Sequence, residues 1–244
     1  MRWIYLSPHL DDAALSAGGL IYEQAQAGIL VEIWTLMSGY APEEAVSSFA
    51  QLLHSQWGFS SAEETTRLRR GEDQKAAAIL GAKTVYFDFL DCIYRRGANG
   101  EWLYFDVFVP PNLADSQLPS QIAEAISARL QPDDILVCQL AIGSHVDHIL
   151  VREGVELLAH SLRYYIDVPY IFYHSQELER RAAGMKESIQ SITETGLDSW
   201  KEAALAYKSQ LIALGDAFDT PEKVQASIQS YWAEPKGIRL WQKN

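Results

Sequence analysis

Two short stretches carry residues whose types and spacing could do chemistry together: His9-Leu10-Asp11-Asp12 and His145-Val146-Asp147-His148. Neighbouring carboxylates repel and each is costly to bury unpaired, so packing alone gives little reason to set an imidazole beside two of them. A divalent cation removes that cost. A catalytic zinc site takes three protein ligands of mixed nitrogen and oxygen type and leaves a fourth position open. His9, Asp12 and His148 would supply two nitrogens and one oxygen. Asp11 and His145 then remain beside the metal, as metal-assisted hydrolysis requires: a base for water, and a group that stabilises an oxyanion or protonates a leaving nitrogen. Asp147 is placed to orient His145 and raise its pKa. Spacing alone does not say which of Asp11 and Asp12 binds the metal.

These clusters need elements to hold them. Trp3 to Leu6 is an apolar run that reads as a short buried strand, broken at Ser7-Pro8; small residues from Ala13 to Ala27 then read as a helix ended by Gly28. Either aspartate could cap that helix. Val31 to Met37 reads as a second strand, which closes a βαβ unit and defines an α/β fold. The pattern repeats later: Ile135 to Leu140 is an apolar strand, followed by the second cluster and a helical stretch from Ile149 to Leu162. In open parallel sheets the ligand crevice lies outside the carboxyl ends of the strands, near a switch in strand order. Two polar clusters on two such ends therefore build one site, although each residue taken singly reads as a cap or a satisfied polar side chain. Gly18-Gly19 lacks the Gly-x-Gly-x-x-Gly turn of a dinucleotide site.

The remaining chain reads as one domain, 1–244. Residues 38 to 62 form an elaborated loop with a weak helix near Ala45 to Trp57, of the kind that shapes substrate pockets. Glu63 to Leu80 is a long helix, Thr84 to Phe87 a third strand, and 97 to 119 an irregular excursion. Gln121 to Leu130 is helical, and Tyr164 to Tyr173 reads as a strand pair around Asp167-Val168-Pro169. Helices are expected over Glu177 to Ile192, Leu197 to Leu214 and Pro221 to Trp232, with an edge strand over Gly237 to Trp241.

A net charge of −12 argues against a nucleic-acid partner, whose phosphates must be neutralised by Lys and Arg. Arg67, Arg69 and Arg70 are interleaved with Glu63, Glu64, Glu72 and Asp73, which suits a solvated helix face with i,i+4 ion pairs. No stretch approaches the roughly 20 apolar residues of a membrane span, and Met1-Arg2 leads straight into a strand with no signal-peptide pattern. A cytoplasmic location is expected. Cys92 and Cys138 read as two reduced thiols. Whether the chain forms a homo-oligomer stays open.

Pro8-His9-Leu10-Asp11-Asp12 together with His145-Val146-Asp147-His148 resembles the two-part signature of the LmbE-like, or PIG-L, de-N-acetylase family. The resemblance implies a three-layer α/β/α Rossmann-like sandwich with a mostly parallel sheet. It also implies a zinc-dependent hydrolase that removes an acetyl or acyl group from the amine of an amino sugar or glycoconjugate. Carried over by position, it makes His9, Asp12 and His148 the ligands of Zn2+, or of another divalent metal, with Asp11 as general base and His145 as acid or oxyanion-stabilising group. The stretch Arg67 to Leu80 is similar to the family's arginine-and-acid helix, from which Arg67 or Arg70 would reach the substrate. Asp91 lies where a family aspartate binds sugar hydroxyls. Tyr94-Arg95, Asp167-Val168-Pro169-Tyr170 and Tyr207-Lys208-Ser209-Gln210 resemble a bacterial subgroup, which adds Tyr94, Arg95, Asp167 and Tyr170 as substrate-binding candidates. Leu10 and Val146 depart from the prolines of the mycothiol-pathway branch, and a tyrosine that assists at the oxyanion there would fall near Gly143. The competing readings are another metal-assisted amide or ester hydrolase and a non-catalytic carbohydrate-binding member of the family. A receiver-like phosphoacceptor is disfavoured by the paired histidines and the length.

Overall fold

A computed structural model describes residues 1–42 and 46–243. The chain builds one seven-stranded sheet from β1 (Arg2–Ser7), β2 (Leu30–Thr35), β3 (Lys83–Tyr86), β4 (Ile135–Gln139), β5 (Leu162–Tyr165), β6 (Met185–Ser191) and β7 (Gly237–Lys243). Its order is β3-β2-β1-β4-β5-β7-β6. The first five strands are parallel, and β7 and β6 add an antiparallel flank. β1 is central, with Trp3 in register with both Val31 and Ile135. A strand covered on both faces has no solvent side, which is why Trp3 to Leu6 is apolar without alternation. The chain runs from β1 outward through β2 to β3, then returns to start β4 on the other side of β1. The switch point therefore lies between β1 and β4, the two strands that carry the clusters.

Helices cover both faces. On one, α1 (Asp12–Gln26), α3 (Ala62–Leu80), α7 (Glu194–Ala204) and α8 (Pro221–Ala233) share a core with Tyr5, Ile33 and Val137. On the other, α4 (Leu118–Ser127) and α5 (Val146–Glu156) pack with α2 (Ser48–Trp57) over Ile4, Leu6, Trp34 and Cys138. The remaining α-helix, α6 (Leu178–Arg181), is a single turn. The sandwich is thus α/β/α, as expected. Gly18 has a purpose other than phosphate binding: a Cβ there would lie 2.5 Å from the Trp200 ring, so the bare backbone lets α7 pack onto α1.

The second half differs from the sequence reading. Only Leu162–Tyr165 of the expected pair is a strand; the chain then turns into a single 3₁₀ turn, Tyr170–Phe172. The expected helix over 177 to 192 is α6 followed by strand β6, whose residues are mostly exposed and bond to β7. The helix expected over 197 to 214 ends at Ala204, with a 3₁₀ turn at Leu211–Leu214. β7 lies inside the sheet between β5 and β6, so it is not an edge strand. Part of the loop expected to form a helix from Ala45 lies outside the described residues; α2 runs from Ser48.

Candidate active site

His9, Asp11 and Asp12 leave the carboxyl end of β1 at the start of α1, and His145, Asp147 and His148 leave the end of β4 at the start of α5. The two clusters meet. One ring nitrogen of each of His9, His145 and His148 lies within 4.8 Å of the other two. The Asp12 carboxylate lies 3.4 Å from His9 Nδ1 and 3.2 Å from His148 Nε2.

Neither aspartate caps α1 in the way a lone acidic residue would. Asp11 occupies the N-cap position without a side-chain cap bond. Ser7 Oγ accepts from the Ala13 N–H instead, and Asp12 Oδ2 reaches back to accept from the His9 N–H at 2.7 Å. The first turn thus holds Asp12 toward the histidines.

The outer nitrogens of two imidazoles are held by buried carboxylates. His9 Nε2 is 3.0 Å from Asp147 Oδ2, and His148 Nδ1 is 2.9 Å from Asp167 Oδ1. Asp167 also accepts from the Ile142 N–H, and Asp147 from the Cys92 N–H, with Arg95 Nη1 at 2.6 Å from Asp147 Oδ1. A carboxylate behind each imidazole is the usual outer support of a metal-binding histidine. Burial opposes the charged forms of His9 and His148, but Asp12 and the outer carboxylates outweigh it. They raise His9 well above its ordinary value and His148 to about 9. Burial likewise works against ionised Asp12, yet the adjacent charges of His148 and His9 hold it well below the usual carboxylate range.

These residues fit a divalent cation. Asp12 places Oδ2 3.4 Å from His9 Nδ1 and Oδ1 3.2 Å from His148 Nε2, so its carboxylate spans both imidazoles and one of its oxygens would join them around an ion. His148 Nε2 is buried and lies beside Asp12 without hydrogen-bond geometry, as two ligands aimed at a common third point would. His145 is near enough to compete with Asp12 as the third ligand. Its Nδ1, however, already accepts the Asp147 N–H at 3.2 Å, whereas Asp12 brings the negative charge a cation needs.

His145 behaves differently from its neighbours. Burial first, then the positive charges of His9 and His148, push its pKa well below the ordinary value, and it sits at a helix N-terminus, where a cation is disfavoured. A neutral ring whose Nδ1 accepts must carry its proton on Nε2, leaving an N–H donor on the other edge. The tautomer is therefore set by the backbone of Asp147. This corrects the expected role of Asp147, whose carboxylate serves His9 and Arg95 rather than His145.

Asp11 is pushed up to about 6 by burial and by the charge of Asp12, against the pull of Arg69, whose Nη2 is 3.5 Å away. Both Asp11 and Arg69 line a cavity of about 300 Å³, the lower end of small-ligand pockets. Its floor holds His9, Asp12, Asp91 and His145, and Phe49, Leu53 and Trp57 of α2 form an apolar wall. The expectation that residues 38 to 62 shape the pocket is met by that helix.

Other expected site residues fall elsewhere. Arg67 is exposed on α3, and Arg70 stacks on Tyr40 and Tyr86 while donating to the Ser38 carbonyl; neither lines the cavity. The arginine that does is Arg69, stacked on Trp57. Helical spacing could have found it: Arg69 stands on the buried stripe of Thr65, Thr66, Asp73, Ala76 and Leu80. Arg95 is buried between Asp147 and Asp115, Tyr94 bonds His54 at 2.6 Å, and Asp167 stands behind His148. Of the sugar-binding candidates, Asp91 and Tyr170 line the cavity. Gly143 has φ +85°, and a Cβ there would lie 2.8 Å from the Tyr170 ring, so Tyr170 leaves no room for a side chain at Gly143, near which the resemblance would put an oxyanion-assisting tyrosine. Gln210, not singled out as a site residue, also lines the cavity.

Fold and site define a doubly wound α/β protein with a His/Asp cluster at the switch point of its sheet, the place where ligands bind in this class. Residues 4–159 match the family of GlcNAc-PI de-N-acetylases, PIG-L, and the chain belongs to that family. The 2'-N-acetylparomamine deacetylase of Niallia circulans is 24% identical over 265 aligned positions, covering 98% of this chain and 93% of that protein. A crystal structure of the deacetylase of the teicoplanin biosynthesis pathway, as a bog complex, superposes with a TM-score of 0.85 at 27% identity over 99% of this chain and 97% of the other. The zinc-inhibited form of teicoplanin deacetylase Orf2 superposes with a TM-score of 0.84 at 26% identity, again over 99% and 97%. No helix among the described residues is long and apolar enough to cross a membrane.

Proposed function

We propose that the protein is a metal-dependent N-deacetylase that hydrolyses the acetamide of an amino sugar carried on a glycoconjugate. The observation that carries this reading is the paired support of His9 and His148. Each turns one ring nitrogen toward Asp12, and each has its other nitrogen held by a buried carboxylate. His9, Asp12 and His148 would hold the cation, and their mixed nitrogen and oxygen donor set suits Zn2+. When bound, a divalent cation polarises the amide carbonyl and acidifies water.

The chain's own residues supply the remaining steps. Asp11, with a pKa near 6, takes a proton as the water oxygen attacks the acyl carbon. The Nε2–H of His145 donates to the oxygen on which negative charge develops. As the C–N bond breaks, Asp11 returns the proton to the departing nitrogen, leaving a free amine and acetic acid, which ionises to acetate. Arg69, 3.5 Å from Asp11 Oδ2, favours the ionised form of Asp11. Asp91 and Tyr170 present polar groups toward the sugar.

Metal content and acetate release from N-acetylglucosamine conjugates test this reading. Stoichiometric divalent metal and chelator-sensitive acetate release are expected. Full metal loss in His148→Ala with undiminished amide hydrolysis would overturn it.

A further inference from the structure

Gln210 lines the cavity but has no part in the hydrolytic steps above. Its side chain is oriented from α3. Glu72 accepts two hydrogen bonds from Ser209: one from the backbone N–H at 2.9 Å and one from the hydroxyl at 2.6 Å. A serine hydroxyl has a single proton. With that proton given to Glu72, Ser209 Oγ can only accept from its other neighbour, the side-chain amide of Gln210 at 2.8 Å. The nitrogen of that amide must therefore face Ser209. Shape alone does not distinguish the two ends of a glutamine amide, but a fixed direction of donation does. The Oε1 of Gln210 takes no part in this network, in a residue 3% exposed on the cavity wall, and it is not among the buried unpaired atoms of the described residues.

The support is rigid. Tyr207 donates its hydroxyl to Asp73 at 2.8 Å, and the Gln210 N–H donates to the Tyr207 carbonyl at 2.9 Å. Glu72 and Asp73, consecutive on α3, thus clamp residues 207 to 210 against the helix that also delivers Arg69 to the cavity. An oriented acceptor open to the cavity is poorly served by an apolar occupant, because it forfeits its hydrogen bond with water.

We propose that Gln210 Oε1 accepts a hydrogen bond from a free hydroxyl of the amino sugar, and that Glu72, acting through Ser209, is the positioning residue that sets this polarity. The proposal rests on the deacetylase reading and narrows its substrate. The sugar position facing Gln210 carries an unmodified hydroxyl, since a phosphate or carboxylate there would bring acceptors against an acceptor, with Asp106 also lining the cavity.

The test compares kcat/KM for methyl N-acetylglucosaminide with its 3-, 4- and 6-deoxy and deoxyfluoro analogues, using metal-loaded wild type, Gln210→Met and Glu72→Gln. In wild type one deoxy position loses about tenfold, mainly in KM, and the matching deoxyfluoro analogue loses as much because it lacks the donor. In Gln210→Met the penalty at that position falls below about twofold while penalties at other positions persist. In Glu72→Gln the new amide donates to Ser209, whose proton turns to Gln210 and flips it. The deoxyfluoro penalty there shrinks to less than half the deoxy penalty. Equal losses by Gln210→Met on every analogue overturn the assignment alone, as does an unchanged fluoro-to-deoxy ratio in Glu72→Gln. No acetate from any member of the series with metal-loaded wild type overturns the deacetylase reading and the assignment together.

Discussion

Asp147 stands behind His9: its Oδ2 is 3.0 Å from His9 Nε2, and its other oxygen is 2.6 Å from Arg95. Burial raises the pKa of Asp147, but Arg95 and His9 outweigh that and hold the carboxylate far below its ordinary range. An always-charged partner keeps the second carboxylate in place whatever the state of His9. Asp147→Asn should therefore weaken metal binding by about 10- to 100-fold, read by competition with a metal indicator. Asp147→Ala should also cost about 1–3 kcal/mol of stability, because buried Arg95 loses one of its two carboxylate partners and keeps Asp115, read by urea unfolding. Unaltered metal affinity in Asp147→Asn would remove the carboxylate from the metal's support.

Asp11 and Asp12 are adjacent yet assigned different tasks, and substitution separates them. Asp11→Asn should lower kcat by about 10²- to 10⁴-fold with full metal content. Asp12→Asn should lose the metal as well. Metal analysis of both purified variants beside their rates distinguishes the two roles, and loss of metal in Asp11→Asn would merge them.

His145 caps α5 through Nδ1, and the proposed mechanism assigns its Nε2–H to the developing oxyanion. His145→Ala should lower kcat by about 10²- to 10³-fold with KM little altered. His145→Asn, which retains a cap and a donor, should recover part of the loss. Steady-state kinetics on one acetamide substrate suffice, and a change confined to KM would count against the role.

The arginine on the cavity wall is Arg69. Arg69→Met should reduce kcat/KM by at least about tenfold, since charge-assisted hydrogen bonds are the strong ones, whereas Arg67→Met should stay within about twofold. The reverse order of effects would restore the choice made from resemblance.

Asp73 is buried between Tyr207 and Tyr86. Burial raises its pKa from 3.8 to about 6, against the two tyrosine hydrogen bonds and Arg69. The folded state therefore binds this proton more tightly than the unfolded state, and stability falls as pH rises from about 4 to 6. A shift of about two units corresponds to about 3 kcal/mol. Asp73→Asn has no such proton to lose, so its stability relative to wild type should rise by up to that amount between pH 4 and pH 7. Urea unfolding at the two pH values measures the difference; a gap that does not change with pH refutes it.

The sequence by itself determined the α/β class, the central apolar strands and the meeting of His9, Asp11, Asp12, His145 and His148. Each of these follows from local order: a fully buried strand must be apolar on both faces, and polar residues directly after two such strands must emerge at their carboxyl ends. Tertiary structure alone decided the rest. Met185 to Ser191 is strand β6 because it pairs with β7 some fifty residues on, and nothing local separates such a half-exposed strand from a polar helix. Asp147 serves His9 rather than His145 because β1 and β4 are neighbours in the sheet. Which arginine of Arg67, Arg69 and Arg70 enters the cavity was settled by the face α3 buries, and the polarity of Gln210 by Glu72, 138 positions away in the chain. Contacts between residues distant in sequence depend on the packed geometry of whole elements, which residue order specifies only through folding.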